Sequence, residues 1–406
     1  MSADAPPKPP VTEPGPRRAR LLIVGPLPPP IGGVETMTQA ILESDAFREF
    51  EVSHCNTTKG RPKQTQGKFD LENFRWAMRH LGRMRRTIAR VRPDVVYLPI
   101  AGTWSGFLRD MALAYVAKRR GARLVGHVHG GDFHAVLERR GPSARLVRAG
   151  LGQFDHLLVL GERWKKLLEA YGVRVKVAIV PSTLRREVFE RGASFQRATS
   201  DAGTDGPVQG LFVGQVGRRK GVADLLQAVK RCQDMGLPFR MTFVGPPQLE
   251  GEWEPLLEMR RQLGLEAVTE FTGPLLGEAL YERFRRGEIF LLPSYNEGLP
   301  VVFYEAGAFQ MPVIATPVGA VTDLIVDGRN GLLVDPGRIE ALVQAIVRLV
   351  RQPAERLAMG RQLREDIAAF HPDRVCARIA EEVHVALGDR RKPGRTRTWY
   401  GKERRK

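Results

Sequence analysis

The sequence has few cysteines. Cys55, Cys232 and Cys376 are the only three among 406 residues, and no two of them stand at C-x-x-C spacing. Isolated cysteines of this kind argue against a disulfide framework and against a cysteine-based zinc site. We therefore expect the protein to occupy a reducing compartment.

Long hydrophobic runs are also missing. No apolar stretch reaches the roughly 18 residues that span a bilayer, and the first residues, MSADAPPKPPVTEPGPRRAR, lack the apolar core of a signal peptide. These absences predict a soluble or peripheral protein of the cytoplasm. Residues 1–18 are rich in proline and polar residues, so we expect them to be disordered.

Acidic residues are outnumbered by basic ones. The chain has 63 Lys and Arg against 45 Asp and Glu, which gives a formal net charge of +18 at pH 7. A field of that sign favours anionic partners such as nucleic acid, acidic membrane surfaces or phosphorylated ligands. The charge indicates the sign of the partner and leaves its identity open.

Two segments concentrate the basic residues. Residues 75–92 predict a basic amphipathic helix that suits docking on an anionic membrane, although a solvated face explains the pattern equally well. Its arginines at helical spacing are Arg75, Arg79, Arg83, Arg86 and Arg90, and the interleaved apolar residues are Trp76, Leu81, Met84 and Ile88. Residues 389–406 form a basic tail, whose role is solubility or anchoring to a membrane surface or nucleic acid.

Strand-like runs alternate with helix-like segments in two blocks. The first block contains RLLIVG, DVVYLPI, RLVGHVH, HLLVL and KVAIV, and the second contains GLFVG, RMTFVG, VTEFTG, IFLLPS, PVIAT and GLLV. This alternation predicts an α/β fold with parallel sheets covered on both faces. We predict a first domain over 19–187, a linker over 188–207 and a second domain over 208–372. A terminal helix over 373–388 is then free to pack back on the first domain.

The segment PPPIGGVETM, residues 28–37, places two glycines between a strand and a helix. Gly32 and Gly33 fit either a tight turn or the close approach of a ligand such as a phosphate at the helix start. These ten residues alone favour the turn slightly. The spacing is not G-x-G-x-x-G, so a dinucleotide dehydrogenase is not indicated.

The segment PSYNEGLPVVFYEAGA carries the most specific pattern. Glu297 lies in a loop after a buried strand, Pro300 is suited to the first position of a helix, and Glu305 lies eight residues after Glu297. One carboxylate can accept hydrogen bonds from sugar hydroxyls and the other from a ribose diol. The alternative is a capped helix with two incidental acids.

This segment is similar to the E-x7-E motif of the retaining glycosyltransferases of family 4, and the likeness continues through residues 311–337. The resemblance implies the GT-B fold, in which two Rossmann-like domains face each other across a cleft, the first on the acceptor side and the second binding the nucleotide sugar. It also implies transfer of a hexose from a nucleoside-diphosphate sugar with retention of anomeric configuration, usually without a metal ion. By resemblance, Glu297 would contact the transferred sugar, Gly298 and Leu299 would hold sugar or phosphate through their amides, and Glu305 would bind the ribose.

A second motif, LFVGQVGRRKGVADLLQAV, places three cations directly after a strand. Arg218, Arg219 and Lys220 suit a leaving diphosphate, because a fixed cation stabilises the charge that develops on it. The alternative is an exposed basic turn. The family's Lys-Gly matches Lys220 and Gly221, but the family's arginine after the strand glycine is Gln215 here. Either Arg218 or Arg219 supplies the second charge from within the loop, which we favour, or diphosphate binding is weaker than is usual in the family.

The first domain contributes two further matches. GGVET resembles the family's Gly-Gly-x-Glu loop, which implies that Gly33, and next Gly32, approach the donor diphosphate. In GHVHGGDFH, His129 stands at the carboxyl end of a strand with His127 deeper on the same face. A strand histidine is more often structural, but the resemblance makes His129 a contact to a sugar hydroxyl, catalytic together with Glu297 and Lys220. His-x-His has no third ligand at metal-binding spacing, so we expect no metal site.

The resulting hypothesis is a hexosyltransferase similar to those of bacterial polysaccharide biosynthesis. Its expected partners are a UDP- or GDP-type sugar and a glycan or lipid-linked acceptor. The sequence departs from the family at Pro181-Ser182-Thr183, where the family reads Pro-Asn-Gly, and at Gln310, where it has glycine. A sugar-nucleotide epimerase of the same architecture and a non-catalytic basic scaffold or nucleic-acid-binding protein remain alternatives, although nucleic acid is not the expected partner.

Overall fold

The structure is a computed structural model, which describes residues 17–29, 32–58, 71–129, 133–197, 206–249 and 251–388. Most of the terminus predicted to be disordered and the whole basic tail lie outside these ranges, as does the side chain of Trp76. The described structure begins before the predicted boundary at residue 18. Arg17 donates hydrogen bonds to both carboxylate oxygens of Asp94, at 2.7 and 3.0 Å.

The first domain contains a parallel sheet of six strands. The strands are β1 (Arg20–Gly25), β2 (Glu51–Asn56), β3 (Val95–Ile100), β4 (Arg123–Val128), β5 (His156–Val159) and β6 (Lys176–Ile179). The helices are α1 (Gly33–Glu43), α2 (Leu71–Val91), α3 (Trp104–Lys118), α4 (Phe133–Leu137), α5 (Pro142–Leu151) and α6 (Glu162–Ala170). The strand order is β2-β1-β3-β4-β5-β6. The apolar runs form the strands because helices bury both faces of the sheet.

The second domain contains another parallel sheet of six strands. Its strands are β7 (Val208–Val213), β8 (Phe239–Val244), β9 (Thr269–Gly273), β10 (Ile289–Leu292), β11 (Val313–Ala315) and β12 (Gly331–Leu333). The helices after β6 are α7 (Arg186–Ser194), α8 (Val222–Asp234), α9 (Trp253–Gln262), α10 (Gly277–Arg286), α11 (Val301–Ala308), α12 (Val321–Leu324), α13 (Ile339–Arg351), α14 (Pro353–Ile367) and α15 (Pro372–Ala386). The strand order β12-β11-β10-β7-β8-β9 reverses between β7 and β10, the position at which doubly wound sheets bind ligands. The predicted α/β fold with two parallel sheets is confirmed.

One strand and one helix were not predicted. Strand β2 lies at the edge of the first sheet and exposes much of its surface, so its sequence EVSHCN has no buried apolar run. Helix α7 covers residues 188–194 of the predicted linker 188–207, for which the sequence analysis named no helix. A Cβ added to Gly192 would lie 2.6 Å from the Cβ of Ala308, so α7 packs tightly on α11. Residues 198–205 lie outside the described residues.

The last described helix returns to the first domain. The apolar face of α15 joins the core beneath β1, together with Leu21 and Ile23; its members are Val375, Cys376, Ile379 and Val383. In the same interface, Nδ1 of His156 on β5 lies 3.1 Å from Oε2 of Glu382 on α15. The chain therefore passes between the domains twice. None of the helices in the described ranges is long and apolar enough to cross a membrane.

Candidate active site

The loops after β7 and β10 lie side by side because one glycine permits it. Gly221 has φ +71°, and a Cβ there would lie 2.1 Å from the carbonyl oxygen of Pro293 at the end of β10. The amide of Tyr295 donates to the carbonyl of Arg219 at 2.9 Å. The Lys-Gly and E-x7-E motifs, 77 residues apart in sequence, therefore meet at the point where the strand order reverses.

Lys220 and Glu297 form an ion pair at this junction. Nζ of Lys220 donates to Oε1 of Glu297, and the two side chains are only 14% and 9% exposed. The Glu297 loop is held from the other side by Gly319, whose φ of +58° brings it against the Glu297 carbonyl. The amide of Ala320 donates to the carbonyl of Gly298 at 2.7 Å. An ammonium, which can bind an anionic group, and a carboxylate, which can accept hydrogen bonds from hydroxyls, are thus fixed side by side.

Helix α11 begins one residue later than predicted. Pro300 is the residue preceding the helix, with φ −63° and ψ 122°, and the first helical residue is Val301. Gly298 and Leu299 are buried just before it. Since the first amides of a helix have no intrahelical acceptor, this end can bind an anionic group.

Glu305 lies one helical turn after Val301, on the same side of α11. Burial raises the pKa of its carboxyl group, and the positive charge of Arg185 acts in the opposite direction. Arg185 lies in the segment that connects the domains. Sequence reasoning missed Arg185, because nothing in the sequence distinguishes it from the many other arginines.

The two arginines of the β7 loop have different environments. Arg219 donates from Nη1 to the carbonyl oxygen of Asn296 at 3.1 Å and so fastens the two loops together. Arg218 is exposed, and within the described ranges its side chain has no hydrogen bond or ion pair. Both remain candidates for the second charge, since Arg219 uses only Nη1 in this hydrogen bond and Arg218 uses none of its donors.

The Gly32-Gly33 pair faces the second domain across the cleft. A Cβ added to Gly33, the first residue of α1, would lie 3.6 Å from Cγ2 of Val301. Gly32 is extended, with φ −162°, and Gly33 is not among the described residues with positive φ. The backbone therefore does not require glycine at either position for a tight turn, which favours the ligand interpretation.

His127 and His129 lie on one face of β4 and its end, with ring centroids 4.0 Å apart. His127 contacts the Tyr97 hydroxyl through Nδ1 at 2.7 Å and the Val180 carbonyl through Nε2 at 3.0 Å. Both ring nitrogens of His129 are buried with no hydrogen-bond partner. Burial lowers the pKa of His129 to about 3, so the ring is neutral near pH 7. A neutral imidazole with two unmet nitrogens suits a hydroxyl ligand.

The domains also meet at Asp323 and Glu162. Oδ2 of Asp323 in α12 accepts a hydrogen bond from the backbone amide of Glu162, the first residue of α6, at 3.1 Å. Nη1 of Arg163 lies 3.5 Å from the carbonyl of Pro317. Sequence reasoning missed this contact; the available signal is Gly161, which leaves α6 without a side-chain cap of its own.

No arrangement of three or more His, Cys, Asp or Glu side chains that could hold a metal ion occurs within the described part of the chain. The three cysteines are buried and unpaired. The charged pair at the junction of the two motif loops is Lys220 and Glu297, and Arg218 belongs to the same loop as Lys220.

Solved structures of known proteins share this architecture. Sucrose-phosphate synthase from Thermosynechococcus elongatus matches with a TM-score of 0.69 and 17% identity over 91% of this chain and 99% of that one. Anabaena Alr3699/HepE in complex with UDP-glucose matches with a TM-score of 0.67 and 16% identity over 90% and 99%. The fold and the cleft thus define a two-domain protein of the GT-B class.

Sequence comparison identifies the family. Residues 31–184 match Glycosyltransferase Family 4, and residues 200–366 match Glycosyl transferases group 1. The D-inositol 3-phosphate glycosyltransferase of Corynebacterium urealyticum is 31% identical over 42% of this chain and 41% of its own length. That of Nocardiopsis dassonvillei is 27% identical over 76% and 75%. The match thus spans less than half of the first relative's length and three quarters of the second's. The chain belongs to the family 4 glycosyltransferases.

Proposed function

We propose that the protein is a retaining glycosyltransferase that moves a hexose from a UDP- or GDP-type sugar to a glycan or lipid-linked saccharide. The observation that carries this proposal is the buried Lys220–Glu297 ion pair, held where the strand order of the second sheet reverses. A structure in the same fold class binds UDP-glucose. Cell-surface polysaccharide or glycoconjugate synthesis is the process that we propose it serves.

The cations of the β7 loop would stabilise the leaving group. As the bond between the anomeric carbon and the diphosphate breaks, negative charge grows on the β-phosphate, and Lys220, Arg218 or Arg219 and the first amides of α11 meet it. We propose that these groups supply the required positive charge without a metal ion. Lys220 would exchange its partner, from Glu297 in the free protein to the diphosphate in the complex.

Glu297 and His129 would hold the transferred sugar. The Glu297 carboxylate accepts hydrogen bonds from sugar hydroxyls, and the neutral His129 ring exchanges one with another hydroxyl. We propose that the acceptor hydroxyl attacks the face that the leaving group vacates and that the departing phosphate takes its proton. Retention of configuration follows from attack on that face.

Helix α2 supplies the proposed membrane contact. Its exposed arginines have no ion pair with any described carboxylate; they are Arg75, Arg79, Arg83, Arg85, Arg86 and Arg90. Met78 between them is 51% exposed, whereas Met84 and Ile88 on the other side are buried. We propose that this face docks on anionic lipid at the cytoplasmic surface and so approaches a lipid-linked acceptor. Binding to phosphatidylglycerol vesicles that survives replacement of these six arginines by glutamine would contradict the docking.

Thermal unfolding with UDP, GDP, ADP and their sugar conjugates tests the donor. A ligand at 100 times its dissociation constant stabilises the fold by about 2.7 kcal/mol. Selective stabilisation by one base supports the transferase and identifies the donor class. NMR of the product's anomeric configuration then tests retention, and release of a free sugar epimer without acceptor would favour the epimerase. Stabilisation by none of these nucleotides would contradict the proposal.

A further inference from the structure

Helices α2, α3 and α5 cover the same face of the first sheet. Their apolar sides share one core with Leu22 of β1; the members are Met84, Ile88, Phe107, Met111, Val147 and Leu151. Leu21 and Ile23, which alternate with Leu22, belong to the core on the opposite face, where α15 packs. Helix α3 contacts α2 on one side, and a Cβ added to Gly150 of α5 would lie 2.8 Å from Cγ of Met111 on α3. The outward sides of α2, α3 and α5, with the turn after α3, therefore form one continuous surface, which we call the helical face.

Each helix contributes one apolar side chain to the helical face. Met78 of α2, Tyr115 of α3 and Leu146 of α5 are 51%, 54% and 48% exposed. They stand on three different helices, so they do not line one groove of the kind that binds a peptide helix. Single exposed apolar residues are ordinary on protein surfaces, so the charge around them must indicate what they contact.

The rest of the helical face is basic. The sequences of the three helices contain only two acidic residues, Glu72 on α2 and Asp110 on α3. Asp110 is buried, and its Oδ1 accepts a hydrogen bond from Nε of Arg109 at 2.8 Å. The exposed arginines beyond those of α2 form no ion pair with a carboxylate in the described part of the chain; they are Arg119, Arg120, Arg145 and Arg148. Positive charge therefore extends from α2 across α3 and α5.

An anionic bilayer is the partner that matches both the charge and the apolar residues. Its headgroups attract the arginines, and apolar side chains among those arginines can enter the boundary between headgroups and acyl chains. Nucleic acid has the same charge, but it is bound through stacking on planar side chains, which Met78 and Leu146 do not offer. A second copy of this face would meet it with like charge.

We propose that the whole helical face, and not α2 alone, docks on an anionic membrane, with Met78, Tyr115 and Leu146 entering the lipid interface. The inference rests on the membrane contact in the proposed function, which it extends to α3 and α5. A single helix on a membrane leaves the domain free to roll about that helix, whereas three helices in one layer fix its orientation. The first sheet then lies parallel to the membrane, and its carboxyl edge, with His129, opens sideways about one helix diameter, about 10 Å, above the lipid.

Sedimentation with vesicles tests the apolar contacts. The vesicles contain phosphatidylglycerol and phosphatidylcholine in equal parts, or phosphatidylcholine alone. The double variant Tyr115→Ser/Leu146→Ser should bind the anionic vesicles about tenfold more weakly than the wild type, because two apolar side chains no longer leave water. The matched control is Met235→Ser/Leu249→Ser, which removes two side chains of similar exposure from the second domain and should bind like the wild type. Thermal unfolding of each variant checks its fold.

A second pair of variants tests the charge outside α2. Arg145→Gln/Arg148→Gln removes two exposed cations from α5 and should weaken binding to the anionic vesicles at least about tenfold. Arg240→Gln/Arg351→Gln removes two exposed cations from the second domain and should leave the binding unchanged.

A nitroxide label reports directly whether α3 and α5 reach the lipid. The three native cysteines are buried, so the label attaches to an introduced surface cysteine. For Tyr115→Cys and Leu146→Cys, the accessibility of the label to a water-soluble nickel complex should fall at least about twofold when anionic vesicles are added. For the control Met235→Cys it should not change.

Wild-type binding by either double variant of the helical face overturns the inference, as does a label at residue 115 or 146 that stays accessible to water on the vesicles. If the α2 arginines are nevertheless required, docking through α2 alone stands. Binding of polyuridylate but not of anionic vesicles assigns the face to nucleic acid and also overturns the inference. A wild type that binds no vesicles overturns the membrane contact of the proposed function as well, whereas the transferase activity is tested separately by the nucleotides.

Discussion

The rings of His127 and His129 lie with their centroids 4.0 Å apart and their planes tilted by 39°, yet His127 has both ring nitrogens paired and His129 has neither. This difference separates a structural histidine from a candidate catalytic one without reference to activity. It also predicts that replacing each histidine by leucine affects the free energy of unfolding differently.

We expect His129→Leu to preserve or raise the free energy of unfolding and to lower turnover at least tenfold. The substitution removes two buried nitrogens that have no partner, and turnover falls because a sugar-hydroxyl contact is lost. His127→Leu is the matched control: it orphans the Tyr97 hydroxyl and the Val180 carbonyl and should cost about 2 kcal/mol of stability. Urea unfolding and steady-state kinetics measure both effects. Equal destabilisation of the two variants would contradict this division of roles.

Lys220→Ala should reduce turnover by about 10²–10³-fold, because a fixed cation is lost where the leaving charge develops. It should also abolish the stabilisation by the preferred nucleoside diphosphate in thermal unfolding. Lys230→Ala is the control, since Lys230 pairs with Asp234 on the surface of α8. Near-normal turnover in a folded Lys220→Ala protein would remove Lys220 from the mechanism.

Gly33→Ala should weaken donor binding at least tenfold while leaving the fold intact. The added methyl group makes an ordinary contact of 3.6 Å with Val301, and alanine in a helix is favoured over glycine by about 1 kcal/mol. Gly82→Ala in α2 is the control, because a Cβ there meets nothing within 4 Å. Unchanged donor affinity in titration calorimetry would show that no ligand approaches Gly33.

Asp323→Ala should favour an open arrangement of the domains. It removes the acceptor for the Glu162 amide, a hydrogen bond worth about 1 kcal/mol, so we expect a KM for the donor raised about fivefold and a larger radius of gyration in small-angle scattering. Asp234→Ala controls for loss of a surface carboxylate. Identical scattering and kinetics would mean that the contact does not hold the domains together.

Stability should fall as the pH decreases from 7 to 5.5. Burial lowers the pKa of His129 to about 3, that of His156 to about 4 and that of His127 well below 6.5. The unfolded chain takes up these protons near pH 6.5 and the native state does not, so each histidine removes about 1 kcal/mol over this range. Glu305 and Glu382, whose pKa values burial raises, act in the opposite direction. In urea unfolding, the free energy of unfolding of His129→Leu should therefore fall by about 1 kcal/mol less than that of the wild type between pH 7 and pH 5.5. An unchanged pH dependence would contradict the buried neutral ring.

The sequence predicts much of the fold because parallel strands are buried on both faces. The run RLLIVG coincides with β1 for this reason, whereas the edge strand β2 has no comparable run. The meeting of the Lys220 and Glu297 loops could be predicted because both follow strands of one sheet. Contacts such as that of Asp323 with Glu162, 161 residues apart, leave no local pattern in the sequence.

The two passages between the domains are tied directly to each other. The Thr183 hydroxyl, fully buried, donates to the carbonyl oxygen of Phe370 at 2.7 Å. Two adjacent connections that are bonded to each other act as a hinge. They permit the domains to rotate about one axis and resist twisting or sliding. Thr183 occupies the position where the family usually has glycine, so the departure at Pro181-Ser182-Thr183 lies on that axis. Differences between relatives in how readily the cleft opens can therefore arise at this connection between the domains.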